Sequence, residues 1–96
     1  MSDELTFDIQ AAHRYFSTEC FNRAWDLIEK EDRTVEEEEE MLNLSLASLW
    51  HWTKRPDCTS KERSLGYWQV SRIYAITGQP KNASWYAEKC LEVTED

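Results

Sequence analysis

The sequence predicts an all-α fold of about five antiparallel helices, and three observations carry that prediction. Apolar residues recur at three- and four-residue spacing along most of the chain. Glycine and proline, two of each, stand where helices should start or stop, with Gly66 as the exception. Two pairs, Thr34 with Glu37 and Thr59 with Glu62, have the spacing of a capping box, in which a hydroxyl and a carboxylate exchange bonds with the orphan amides of a helix start. At 96 residues, 41% apolar and 31% charged, the chain suits one small helical domain spanning residues 1–96.

The first helix is expected from about Thr6 to Phe16, with Phe7, Ala11, Ala12, Tyr15 and Phe16 at helical spacing. "STEC" is read as a break, followed by a second helix with Phe21, Ala24, Trp25 and Ile28 on one face and "EDRT" at its end. Thr34 opens the third. The acidic run Glu36–Glu40 then falls in its first turns, where carboxylates interact favourably with the positive end of the helix dipole. "MLNLSLASLWHW" follows, apolar on more than one face, the mark of a helix held among neighbours. Pro56 stops this helix, because the residue before proline disfavours helical geometry. A fourth helix runs from near Ser60 to about Thr77, and Gly66 within it implies the close approach of another backbone. Gly78 ends it, Pro80 suits the first turn of the fifth, and that helix reaches about Val93.

The net charge of −8 is unevenly spread. Residues 1–40 carry thirteen acids and four bases; residues 41–80 carry five bases, Lys54, Arg55, Lys61, Arg63 and Arg72, against Asp57 and Glu62. A strongly acidic chain is repelled by phosphate backbones, which argues against a nucleic-acid partner. No apolar run approaches the roughly 20 residues that span a bilayer, and "MSDELTFDIQ" lacks the basic start and apolar block of a signal peptide. Cysteines at 20, 58 and 90, odd in number and widely spaced, read as reduced thiols of a cytoplasm-like compartment.

Residues 67–91, "YWQVSRIYAITGQPKNASWYAEKCL", resemble a tetratricopeptide repeat: Tyr67, Val70, Ser71, Tyr74, Gly78, Ala83, Cys90 and Leu91 stand at that pattern's positions. Ala87 occupies the place of the usual second-helix aromatic, and the closing proline is missing. A weaker echo runs from Ala11, Ala12 and Tyr15 to Ala24 and Ile28, with Glu19 where the turn glycine would be. The two units lie 59 residues apart rather than the ~34 of a regular array, so the resemblance covers about half the chain. It implies a helical protein that binds a peptide or another protein on the first helix of each pair. No cofactor is expected.

On the helix over 60–77, Leu65, Trp68, Arg72 and Ala75 share one side, while Tyr67, Val70, Ser71 and Tyr74 match the packing positions of the repeat. Trp68 and Arg72, of residue types that dominate binding hot spots, are the leading partner-binding candidates. Leu65, Arg63, Lys61, Lys54 and His51 join them, and the local positive charge suits an acidic segment. A second reading places a small-molecule or enzymatic pocket at Trp50-His51-Trp52 and the helix over 60–77, with Cys58 and Arg63 within reach of His51. A closed cavity around His51 would favour that reading, an open groove the first.

No acid at fixed spacing orients His51, no nucleophile motif or phosphate loop occurs, and His13 and Cys20, two helical turns apart, are too distant to share a metal ion. Catalytic and metal-ligating residues are therefore not assigned. The last helix carries more apolar side chains than one contact face needs, and the chain stops after it. Trp85, Tyr86 and Leu91 are accordingly expected to form an open patch, covered by a second copy in a two-fold dimer or by further helices of a longer protein.

Overall fold

The computed structural model describes residues 6–94 and contains four helices: α1 (Ile9–Glu29), α2 (Val35–Thr53), α3 (Ser60–Ile76) and α4 (Pro80–Thr94). No strand occurs among the described residues. The acidic residues 1–5, and 95–96 of "CLEVTED", lie outside them.

Four helices rather than five follow from one correction. "STEC" does not break α1, which runs unbroken through Ser17–Cys20. Hydroxyl groups there turn back onto their own helix: Ser17 Oγ donates to the Arg14 carbonyl (3.0 Å), and Thr18 Oγ1 donates to those of Arg14 and Tyr15. Ser and Thr end helices by offering the backbone other partners, but here they bond within it, and neither glycine nor proline interrupts the ladder. The weak repeat echo over residues 11–28 therefore lies on a single helix and is not a helix–turn–helix unit. The first helix also starts later than Thr6, at Ile9, where Asp8 caps the amides of Gln10 and Ala11.

The other boundaries obey local chemistry. Thr34 and Glu37 form the expected capping box, with Thr34 Oγ1 accepting from the Glu37 amide and Glu37 Oε1 accepting from the Thr34 amide. At the end of α3, Gly78 takes φ 78°, a left-handed value natural to glycine. Around it, Gln79 N–H bonds to the Tyr74 carbonyl (2.8 Å) and Gly78 N–H to that of Ala75 (3.3 Å), the paired bonds of a Schellman ending. Pro80 then begins α4. The second expected box is not made: Thr59 has capping backbone geometry, but its side chain makes no capping bond.

Short connections make each helix antiparallel to the next. The core cluster of Cys20, Ala24, Met41, Leu44 and Ile73 comes from α1, α2 and α3. Gly66 permits the close approach of α2: a Cβ there would lie 2.9 Å from Leu49 Cδ1. Gln69, wholly buried, ties the three helices together, its Oε1 accepting from Ser45 Oγ of α2 (2.8 Å) and its Nε2 donating to the Phe21 carbonyl of α1 (3.0 Å). Ser48 Oγ donates to the Ser17 carbonyl (2.6 Å), a second link between α1 and α2. These bonds satisfy polar groups whose burial would otherwise cost about 1–3 kcal/mol each.

The last helix contributes no fully buried residue and packs on α3. Tyr86 stacks on Tyr74 (centroids 5.6 Å apart), Ser71 Oγ donates to the Ala83 carbonyl (2.7 Å), and Ser64 Oγ meets Cys90 Sγ at 3.3 Å. Tyr67 and Tyr74 are half-buried in this seam rather than enclosed in the core.

Candidate functional site

The spacing of Leu65, Trp68 and Arg72 puts them on one flank of α3, and all three are exposed, Leu65 at 46% and Trp68 at 40%. Gln69, next to this flank on the same helix, is buried and bonds to α1 and α2, so the flank borders the packed face of α3 and turns away from it toward Trp68. Trp68 is supported from α1 by Trp25, with ring centroids 5.6 Å apart and planes tilted by 33°. Arg72 forms no ion pair among the described residues.

Next to Leu65 the three core helices leave a half-open groove of about 160 Å³, lined by Thr18, Phe21 and Asn22 of α1, Trp52 of α2, and Glu62 and Leu65 of α3. Its wall is mostly apolar. The back of Trp52 is covered by Arg55, whose guanidinium carbon lies 4.0 Å from the ring centroid. That guanidinium is committed elsewhere: Nε and Nη2 donate to the two carboxylate oxygens of Asp57 (2.9 and 2.7 Å), and Nη1 donates to Ser17 Oγ (3.1 Å). The pairing with Arg55 holds the Asp57 carboxyl below its ordinary range. Glu62, by contrast, has one carboxylate oxygen, Oε2, shielded from solvent and accepting no hydrogen bond.

The remaining basic candidates are dispersed. Lys61 is exposed and lines a shallow depression with Ser60, Ser64, Leu65 and Thr94, where α3 begins and α4 ends. Arg63 is half-buried near Cys58. Lys54 sits over the Trp50 ring, 5.4 Å from its centroid. The Cys58 thiol is pushed up by burial, against a smaller opposing pull from Arg63, which leaves it a poor nucleophile. No hydrogen bond joins Cys58 to His51 among the described residues.

His51 has a partner that spacing arguments along one helix do not reveal. Its Nδ1 lies 2.8 Å from Nδ1 of His13, across α1 and α2. At that distance one ring donates and the other accepts, so the two imidazoles hold a single proton between them. Trp50 meets both rings edge-on, at 5.4 and 5.0 Å, and Phe16 lies 5.6 Å from His51. Burial, and then the charge of His13, hold the His51 pKa below its ordinary value. The pair was traceable in principle, since His13 and His51 are equally far in sequence from Asp32, in the α1–α2 turn. Reading a break at "STEC" hid that symmetry. No group of three or more metal-ligating side chains occurs among the described residues.

A second apolar surface lies between α2 and α4. Trp50 and Trp85, each 53% exposed, line a groove with Leu46, Leu49, Tyr67 and Tyr86. Leu91, further along α4, is 61% exposed, whereas Tyr86 is half-buried against Tyr74 and Tyr67. Burial also raises the Tyr86 pKa. No helix among the described residues is long and apolar enough to cross a membrane. Comparison with protein families, with curated proteins and with solved structures finds no match to this chain.

Proposed function

We propose that this chain is a non-catalytic, tetratricopeptide-like interaction module that takes a segment of a partner protein along α1 and α3. One observation carries the reading: Leu65, Trp68 and Arg72 stand exposed in a row beside an apolar groove, with Trp25 supporting Trp68 from below. Exposed tryptophan and arginine on a rigid helix are the residue types that supply most binding energy at protein interfaces. α3 meets α1 through Gln69 and Trp68 and meets α2 through Gly66 and Gln69, which holds the helices of the proposed face together. Arg72, with no intramolecular partner among the described residues, is suited to a carboxylate of the segment. His51 lies outside the lining of this half-open groove, which favours recognition over a reaction site built around that imidazole. Three free thiols suit a reducing, cytoplasm-like setting.

The test is affinity capture from a native extract with wild type, Trp68→Ala and Arg72→Glu side by side, followed by measured affinities for each captured partner. Loss of a hot-spot side chain is expected to weaken binding by about 30-fold. Unchanged affinity for every partner in both variants would place recognition elsewhere.

Self-association is the second reading, favoured by Trp50 and Trp85 flanking one groove while more than half exposed. Sedimentation equilibrium tests it: a concentration-dependent dimer that Trp85→Ala abolishes supports this reading, and a strictly monomeric mass at high micromolar concentration removes it.

A further inference from the structure

Among the described residues, two buried side-chain atoms lack a hydrogen-bond partner, Arg33 Nε and Glu62 Oε2; Arg33 lies within ion-pair distance of Glu38 (3.6 Å), and Glu62 has no such neighbour. It lines an apolar groove, has one oxygen shielded from solvent, and receives no hydrogen bond or ion pair from the described residues. The guanidinium of Arg55, close enough to act on it through space, is spent on Asp57 and Ser17. Glu62 also does not take up the capping role that its spacing from Thr59 offers. Its place in the first turn of α3 gives this carboxylate the favourable end of the helix dipole but no hydrogen-bond donor, and a donor supplied from outside offsets the remaining cost of its partial burial.

We propose that this groove is a subsite for one cationic side chain of the partner segment, a lysine or arginine whose terminal N–H groups reach Glu62. The proposal rests on the reading of α1 and α3 as the recognition face. Size favours one side chain over a free ligand: the groove measures about 160 Å³, below the ~300–1,000 Å³ of typical small-molecule sites. The lining favours a long basic side chain over a plain apolar one. Phe21, Trp52 and Leu65 accept an alkyl stem, and Glu62 receives the charged end in a charge-assisted bond.

Geometry extends the inference to the whole segment. Glu62, Leu65, Trp68 and Arg72 descend one flank of α3 at spacings of three, three and four. Glu62 and Arg72 are thus about 15 Å apart along the axis, the reach of some four or five extended residues at ~3.3 Å each. The segment that fits carries a cation at the Glu62 end, an apolar side chain for Leu65 and Trp68, and a carboxylate at the Arg72 end. Opposite charges at its two ends also fix the direction in which it binds.

A random heptapeptide phage library panned on the protein, on Glu62→Gln and on Trp68→Ala provides the test. The wild-type pool is expected to converge on Lys or Arg at one position, and the Glu62→Gln pool to lose that preference. A selected peptide, resynthesised with norleucine for its lysine or arginine, is expected to bind wild type at least about tenfold more weakly. The same replacement should change little on Glu62→Gln. This peptide-side comparison stands even if Glu62→Gln fails to fold. A pool that depends on Trp68 but shows no fixed cation overturns the cationic subsite and leaves the recognition face standing. A pool indifferent to Trp68→Ala, or no binder at all, overturns both.

Discussion

The α1–α3 unit and α4 are held by different means. The first three helices enclose Met41, Val70, Ile73 and Ala24 and lock them with a buried amide that bonds to both neighbouring helices. The last helix lies on α3 through half-buried tyrosines and a few hydroxyl contacts, with no residue fully enclosed. A directional bond inside a close-packed core admits one arrangement, whereas an aromatic seam open to solvent on one side constrains less. The recognition face proposed here stands beside the fully enclosed core, and the exposed apolar surface of α4 beside the solvent-open seam. Rigid elements suit a surface that must present side chains at set spacings.

The largest effect is expected from Met41→Ala, at the centre of the three-helix core. Removing a wholly buried side chain of this size should cost about 2–5 kcal/mol, seen as a lower midpoint in urea denaturation. A loss under 1 kcal/mol would mean that the α1–α3 core is looser than its burial indicates. Next comes Gln69→Leu, which keeps the approximate volume and removes both bonds. Leaving the Ser45 hydroxyl without its partner should cost about 1–3 kcal/mol. Adding Ser45→Ala should recover part of that loss, and no recovery would argue against the bridge as the source.

Tyr86→Ala sharpens the comparison from the other side. It removes the stack with Tyr74 and the contact with Tyr67 at a cost of about 1–2 kcal/mol. Amide hydrogen exchange should then quicken in α4 and hold steady in α1–α3. Equal quickening in all four helices would break the distinction, making α4 part of one cooperative unit.

The smallest effect is the pH response of the histidine pair. The folded-state pKa of His51 is lowered, so the unfolded chain takes up the proton first as pH falls below about 6.5. Stability should be full above that value and should decline between about pH 6.5 and the lower folded value. Glu37 and Asp57 have lowered pKa values, so their contributions are lost only once pH falls through the carboxylate range near ~4, below this window. Denaturation at about pH 7.5 and about pH 5.5 checks the sign, and His51→Gln should flatten the difference. A rise in stability on acidification would show that the pair is better satisfied with two protons.

Local chemistry made much of the fold legible: helical spacing, the Thr34–Glu37 box, the Gly78–Pro80 boundary and the close approach at Gly66 each depend on neighbours in the chain or on the absence of a side chain. Of the candidate site, the row of Leu65, Trp68 and Arg72 was readable from spacing along a single helix. Its groove was not, since Phe21, Trp52 and Leu65 come together only when three helices pack. Tertiary structure alone decided the rest. The hydroxyls of Ser17 and Thr18 could cap a break or bond within a helix, and the continuous α1 settled that choice. Gln69 became the link between three helices, His13 met His51, and Glu62 lost its capping role to face an apolar wall. Each of these rests on the partner a polar group finds far away in the chain, and that partner exists only once the helices have chosen their neighbours.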